Sequence, residues 1–242
     1  HDANVSLLQI QGPKSSALLT KMFGEQISQL KYYWLKKLKF EDIDLIISRT
    51  GWSGELGYEI YLSEFDKGTY IFNQILEAGK EFSISVGAVN QARRIESGIL
   101  SWGVDMSQNE NPFQVGLGRL VETETRDNFI GKKAIIELSK LKQKKILVGM
   151  KLNSKNFLTN ETSWNIKNDS MIIGKLTSVS FSPRLKYNIG LGIIDTNYSK
   201  IGSKFIVEAY EELVEAEVVP LPFMDKKQMV NAEELAKKFY SN

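Results

Sequence analysis

From Ile146 to Phe223 the sequence falls into short apolar runs separated by Gly, Asn, Ser and Pro, among them Ile146-Leu147-Val148-Gly149-Met150, Met171-Ile172-Ile173 and Phe205-Ile206-Val207. Many short strands joined by polar turns are the pattern of a small all-β barrel or sandwich. The preceding residues have a different texture, alternating short strands with helices and showing no long linker or internal repeat. The expected class is therefore α+β followed by an all-β module. The boundary falls in the basic stretch Lys140–Lys145, giving an α+β portion over 1–140, a β-barrel over 141–225 and a tail over 226–242. That tail carries a short amphipathic helix over Asn231–Tyr240. A chain of 242 residues is long enough to bury a substantial core in one large or two modest domains.

Within the first portion, Val5–Ile10 reads as a strand, and Gln11-Gly12-Pro13 turns into a helix from about Lys14 to Phe23. Pro13 suits the first helical position, where its missing N–H would have been unpaired anyway. Leu45–Ile47 and Tyr58–Leu62 read as strands flanking a glycine-rich turn. Ser63 and Asp66 form a capping-box-like start to a helix that reaches Ala78, with Phe65, Ile71, Phe72, Ile75 and Leu76 on one face and Gly79 as its stop. A third helix is expected from about Ala88 to Ile99.

Composition removes whole classes of chemistry. With no cysteine there are no disulfides, zinc fingers, iron–sulfur ligands or thiol nucleophiles. The only histidine is residue 1, so neither a histidine triad nor a multi-histidine metal site has material inside the fold. Lys+Arg 31 against Asp+Glu 29 gives no sign of a dedicated nucleic-acid binder. No apolar run approaches the roughly 18–20 residues of a membrane-spanning helix, no N-terminal signal pattern is present, and a cytoplasmic location is the expectation. Chemistry is left to carboxylates, Arg and Lys, aromatics, backbone groups or a cofactor.

The most informative segment is Arg49-Thr50-Gly51-Trp52-Ser53-Gly54-Glu55-Leu56-Gly57-Tyr58-Glu59-Ile60. Its three glycines permit close backbone approach and unusual dihedrals. The spacing is neither a P-loop nor the dinucleotide fingerprint, and by itself it also fits a plain hairpin turn. Glu59 stands apart because it lies within an apolar strand, where an unpaired carboxylate is costly; it faces solvent or has a dedicated partner. A heterocycle with adjacent N–H and NH₂ donors, such as a pterin, satisfies both carboxylate oxygens, and Trp52 offers an aromatic surface for such a ring.

In Gln91–Met106, helical spacing brings Arg93 near Glu96 as a surface pair, and puts Arg94 on a different face from which it can reach a cavity. The helix leaves through Gly98 into Trp102-Gly103, a turn bearing a large amphipathic ring. The four lysines of Lys140–Lys145 make either a solvated face or a basic rim for an anionic tail or acidic partner.

In order along the chain, these pieces resemble the glycine-cleavage T-protein (aminomethyltransferase) superfamily. Gln11-Gly12-Pro13-Lys14-Ser15 is similar to its Q-G-P element, Arg49 through Ile60 to its R-T-G-Y-T-G-E signature, Arg94-Ile95-Glu96-Ser97-Gly98 to R-L-E-x-G, and Trp102-Gly103-Val104-Asp105-Met106 to Y-G-N-D. Asn111-Pro112-Phe113, Gly116-Leu117-Gly118 and Phe129-Ile130-Gly131-Lys132 continue the order. Thr177-Ser178, Ser182-Pro183 and Asn188–Gly192 resemble the barrel signature. The resemblance implies a folate-binding aminomethyltransferase fold, here without its N-terminal segment and followed by the barrel. It implies tetrahydrofolate as cofactor, with Glu59 on the pterin edge, Trp52, Arg94 and Trp102 lining a channel, and Lys144 and Lys145 toward the folate tail. The family's catalytic aspartate belongs to the segment ahead of the Q-G-P element, so no catalytic residue is assigned. By the resemblance, that segment is expected to be processed away, absent or on a separate chain.

The implied reaction transfers an aminomethyl or methyl unit to tetrahydrofolate. The partners are folate with a small amine or sulfonium donor, or a lipoyl carrier protein for a true T-protein, with no nucleic acid, membrane or metal. Trp52 and Trp102 stand where the pattern has tyrosines, and Val104 where it has asparagine. These departures keep open a demethylase of dimethylsulfoniopropionate or methylated glycines, a non-catalytic folate-binding accessory protein, and a module of a larger flavin dehydrogenase.

Overall fold

In the computed structural model, which describes residues 4–88, 90–124, 127–210 and 212–224, packing divides the chain into two units, the second being Asn90–Met224. The first is built on four antiparallel strands, β1 (Ser6–Gln11), β2 (Leu35–Phe40), β3 (Ile43–Ser48) and β4 (Gly57–Leu62), in the order β1-β4-β3-β2. Successive side chains of a strand point to opposite faces, and β4 shows it cleanly. Tyr58, Ile60 and Leu62 are fully buried, whereas Glu59 and Tyr61 are half-buried on the other face. The buried face joins Leu45 and Ile47 of β3 in one core with Leu18 and Leu19 of α1 (Ser15–Phe23) and Ile71 and Ile75 of α2 (Gly68–Gly79). The opposite face carries Gln9, Ser48, Glu59 and Tyr61, and the register sets Glu59 between Gln9 and Ser48.

Local chemistry departs from sequence expectation at three places here. Helix α1 begins at Ser15 with Lys14 as its cap, so Pro13 sits in the preceding turn rather than in the first helical position. That turn is closed by the Ser15 N–H donating to the Gly12 carbonyl. The Ser63–Asp66 box does not form, because a 3₁₀ turn over Phe65–Lys67 leads into α2 without a side-chain cap. Gly79 ends α2 without a left-handed backbone; that conformation falls to Ser83 (φ 59°). A β-carbon on Gly79 would stand 2.5 Å from Ile84, so the glycine serves close packing. Strand β2 has exposed lysines at 36, 37 and 39 and lies at the sheet edge, where lysines discourage unwanted pairing.

The second unit holds α3 (Gln91–Glu96), α4 (Lys132–Ser139) and six strands, β5 (Lys145–Asn153), β6 (Trp164–Asn168), β7 (Met171–Ser182), β8 (Tyr187–Asp195), β9 (Lys204–Glu208) and β10 (Leu213–Val219). The strands close into a barrel in the order β10-β5-β8-β7-β6-β9, resolving the choice between barrel and sandwich. Met150, Ile166, Leu176, Ile194 and Val207 fill it. Outside the barrel, Ile95 of α3 packs with Ile189 and Leu191 of β8. As a unit of packing the barrel thus extends N-terminally through α3 to Asn90, while its first strand begins at Lys145. Helix α3 is shorter than expected, capped by the Asn90 side chain and ending before Gly98 (φ 67°). The tail helix expected over Asn231–Tyr240 lies outside the described residues.

Candidate functional site

Glu59 has a dedicated set of partners. Its Oε2 accepts from the Thr50 hydroxyl in a short contact and from the Tyr61 hydroxyl at 2.9 Å. Ser48 Oγ lies 2.8 Å from Thr50 Oγ1 and extends the chain of hydroxyls. Tyr61 lies on the same face two residues along β4, and Thr50 just follows β3. Both hydrogen bonds land on one oxygen, and among the described residues Oε1 receives none. Burial, and then the hydrogen bond and charge of Glu59, push the Tyr61 hydroxyl above its ordinary pKa, so it remains a donor through the neutral range. Burial likewise raises Tyr58 on the opposite face. Periodicity of two along β4 is a sequence signal that finds Tyr61; Thr50 carries none.

Trp52, half-buried, sits in the loop between β3 and β4, so the structure brings it and Glu59 into one loop-and-strand segment. That loop is pinned to the end of β1. The Gly12 N–H donates to the Leu56 carbonyl at 2.8 Å, and Ser53 Oγ donates to Gln11 Oε1 at 2.5 Å while accepting from the Glu55 N–H at 3.2 Å.

Arg94 and Asp105 belong to a different arrangement, within the second unit. Their side chains are 2% and 0% exposed and their ion pair measures 2.7 Å. Arg94 also donates to the Ile99 carbonyl at 3.1 Å, Ser178 Oγ at 2.7 Å and Gln91 Oε1 at 2.5 Å. Asp105 accepts in addition from the Ser101 N–H at 2.9 Å, Thr177 Oγ1 at 2.7 Å and Ser178 Oγ at 2.6 Å. Consecutive strand residues ordinarily face opposite ways. A β-bulge between Leu176 and Ser178 breaks that alternation, so that Thr177 and Ser178 both reach Oδ1. Glu96 does not form the expected surface pair with Arg93. It is 2% exposed and accepts from Ser182 Oγ at 2.6 Å, with Arg184 Nε 4.0 Å away. Four motifs separated in sequence, those holding Arg94 and Glu96, Asp105, Thr177-Ser178 and Ser182, therefore tie α3 and the following turn to the barrel.

Trp102 stands on that turn, 67% exposed. Residues 103–107 of the same loop line a groove of about 500 Å³ with Lys145, Met171, Ile172 and Tyr198. Lys144 and Lys145 are both exposed, Lys145 opening β5 opposite Asp195. No group of three or more potential metal-ligating side chains occurs among the described residues, and no helix among them is long and apolar enough to cross a membrane.

Comparison with known proteins gives these arrangements a lineage. The GCVT N-terminal domain model matches residues 1–125, and the glycine cleavage T-protein C-terminal barrel domain model matches residues 145–225. An aminomethyltransferase of Caldanaerobacter subterraneus subsp. tengcongensis is 32% identical over 225 residues, covering 92% of this chain and 59% of the relative. The dimethylsulfoniopropionate demethylase DmdA of Ruegeria pomeroyi is 28% identical over 207 residues, covering 86% and 56%. The crystal structure of the glycine cleavage system aminomethyltransferase T from Bartonella henselae shares the fold. Its TM-score is 0.73 at 21% identity, over 93% of this chain and 61% of that one. The chain thus spans about three-fifths of the length of the relatives it matches. With both domain models matched in order, the chain belongs to the glycine cleavage T-protein family.

Proposed function

We propose that this chain contributes the folate-binding portion of a tetrahydrofolate-dependent one-carbon transferase of the T-protein type. The observation that carries the reading is the half-buried Glu59 carboxylate on the polar face of the first unit's sheet, with Oε2 held by Thr50 and Tyr61 and Oε1 without a hydrogen bond from the described residues. A fixed carboxylate of this kind suits a ligand edge with paired N–H donors, as in a pterin. Bound tetrahydrofolate supplies the nitrogen that takes up the one-carbon unit.

The protein's part is positioning. Thr50 and Tyr61 hold the carboxylate in one orientation, Glu59 fixes the edge of the ring, and Trp52 provides an aromatic surface at the loop. In the second unit, Arg94 acts by holding the turn that presents Trp102, and Lys144 and Lys145 form a basic rim for an anionic tail. Family membership supports the cofactor, and names of relatives support the reaction class. Lipoyl carrier recognition and a cytoplasmic location extend the same reading. In sequence terms the same reading divides the chain into an α+β portion over 1–140 and a barrel over 141–225, although α3 packs with the barrel unit.

A second reading concerns the donor. Tryptophan faces attract cations more strongly than other aromatics, and tryptophans at 52 and 102 favour a sulfonium or methylated ammonium donor, in line with the match to a dimethylsulfoniopropionate demethylase. Titration calorimetry with tetrahydrofolate tests the main reading. The chain binds it, and Glu59→Ala weakens binding by about 1–3 kcal/mol through donors left without their acceptor. Equal affinity in the variant overturns the assignment. Addition of a sulfonium donor to the folate complex distinguishes the two donors.

A further inference from the structure

The glycines of the Arg49–Ile60 segment invite the idea that a ligand approaches the backbone there. Only Gly54 adopts a left-handed conformation (φ 70°). The space beside the other two already has an occupant. A β-carbon built on Gly51 would lie 2.7 Å from Gln11 Nε2 and 2.8 Å from Gln11 Oε1, and one on Gly57 would collide with the same amide still more closely. Gln11 ends β1, where it pairs with Gly57, and its Oε1 takes the Ser53 hydroxyl at 2.5 Å. The Gln11 amide thus fills a socket that exists because residues 51 and 57 lack side chains.

We propose that Gln11 is a positioning residue for the Glu59 site, a latch whose amide sits between Gly51 and Gly57 and holds the loop carrying Trp52. The latch fixes that loop at both ends, and its second end is only two residues before Glu59. Its effect on ligand binding rests on the folate reading above; its effect on the loop does not.

The test uses the 242-residue chain labelled with 5-fluorotryptophan and followed by fluorine NMR without ligand, with the Trp52 resonance identified by its loss in Trp52→Phe. Gln11→Ala empties the socket, and Ser53→Ala leaves the amide in place while removing the hydroxyl that donates to it and accepts from the Glu55 N–H. Both are expected to shift or broaden the Trp52 resonance while those of Trp34 and Trp164 stay in place, which reports an intact fold. Gly57→Ala expels the amide and is expected to move the Trp52 resonance as Gln11→Ala does, with the double variant moving it no further. Tetrahydrofolate affinity is expected to fall roughly tenfold in Gln11→Ala, as for a displaced positioning group. An unmoved Trp52 resonance in both Gln11→Ala and Ser53→Ala overturns the latch. A moved resonance with unchanged folate affinity overturns its role in positioning the site. A wild-type chain that binds no tetrahydrofolate, with Trp52 still responding, overturns the folate reading and supports the latch as organiser of the loop.

Discussion

Asp105 in the barrel unit and Glu59 in the sheet unit are both carboxylates flanked in sequence by apolar or aromatic residues, and they are satisfied in different ways. Asp105 is fully buried and accepts from Arg94, the Ser101 backbone, Thr177 and Ser178, with both oxygens engaged. Glu59 is half-buried and accepts twice at one oxygen. A buried charge survives only when it is paired and hydrogen-bonded, so Asp105 has the environment of a structural ion. Glu59 retains acceptor capacity on a partly open face, which suits a group that meets a ligand.

The comparison breaks most readily at Asp105. Asp105→Ala leaves the Arg94 guanidinium buried without its counter-ion, and should destabilise the second unit by about 3–5 kcal/mol in urea denaturation. A loss as small as that of a surface substitution would make the pair dispensable. Glu59→Ala should behave in the opposite sense, costing under about 1 kcal/mol of stability because Thr50 and Tyr61 can turn to water, while the binding loss falls on the ligand. A large stability loss there would place Glu59 with Asp105 as a structural acid.

Tyr61→Phe sharpens the contrast, because removing one of the two donors to Oε2 should weaken tetrahydrofolate binding by about 1 kcal/mol without altering the denaturation midpoint appreciably. The smallest effect is a titration. Tyr61 is raised above its ordinary pKa of 10.0 by burial first and by Glu59 second. A raised folded-state value contributes stability that is fully present below the unfolded pKa and is lost as pH rises through the folded one. The contribution is therefore intact at neutral pH and disappears in strongly alkaline solution. Glu59→Gln should lower the Tyr61 titration, followed by tyrosinate absorbance; an unmoved titration would mean the carboxylate does not act on the hydroxyl.

The two regions were also unequally legible. The apolar runs of the barrel and of Tyr58–Leu62 are local signals, and they identified β5, β7, β9 and β4 as strands directly, although which face of β4 is buried was not read from them. Strand β2 was missed because its exposed lysines hide the period, Leu38 and Phe40 being the residues that turn inward. Glu59 and Trp52 were visible as a carboxylate in an apolar strand and a large ring in a glycine loop. The ends of the Arg94 side chain's contacts were not, since Ser178 is 84 residues away and no local pattern records it. Gln11 was visible only as a turn residue and as part of a resemblance, its partners lying at Gly57 of β4 and at 51 and 53 in the preceding loop.

The bulge in β7 bears on how the barrel can change. An insertion or deletion within a strand normally turns every later side chain to the wrong face, yet here one supernumerary residue is what lets neighbouring hydroxyls serve a single acid. Deleting Thr177 would yield a more regular sheet that no longer grips the turn bearing Trp102. In this barrel, regularity and stability pull apart, and a redesign that smoothed the strand would loosen a loop belonging to neither of the strands it repaired.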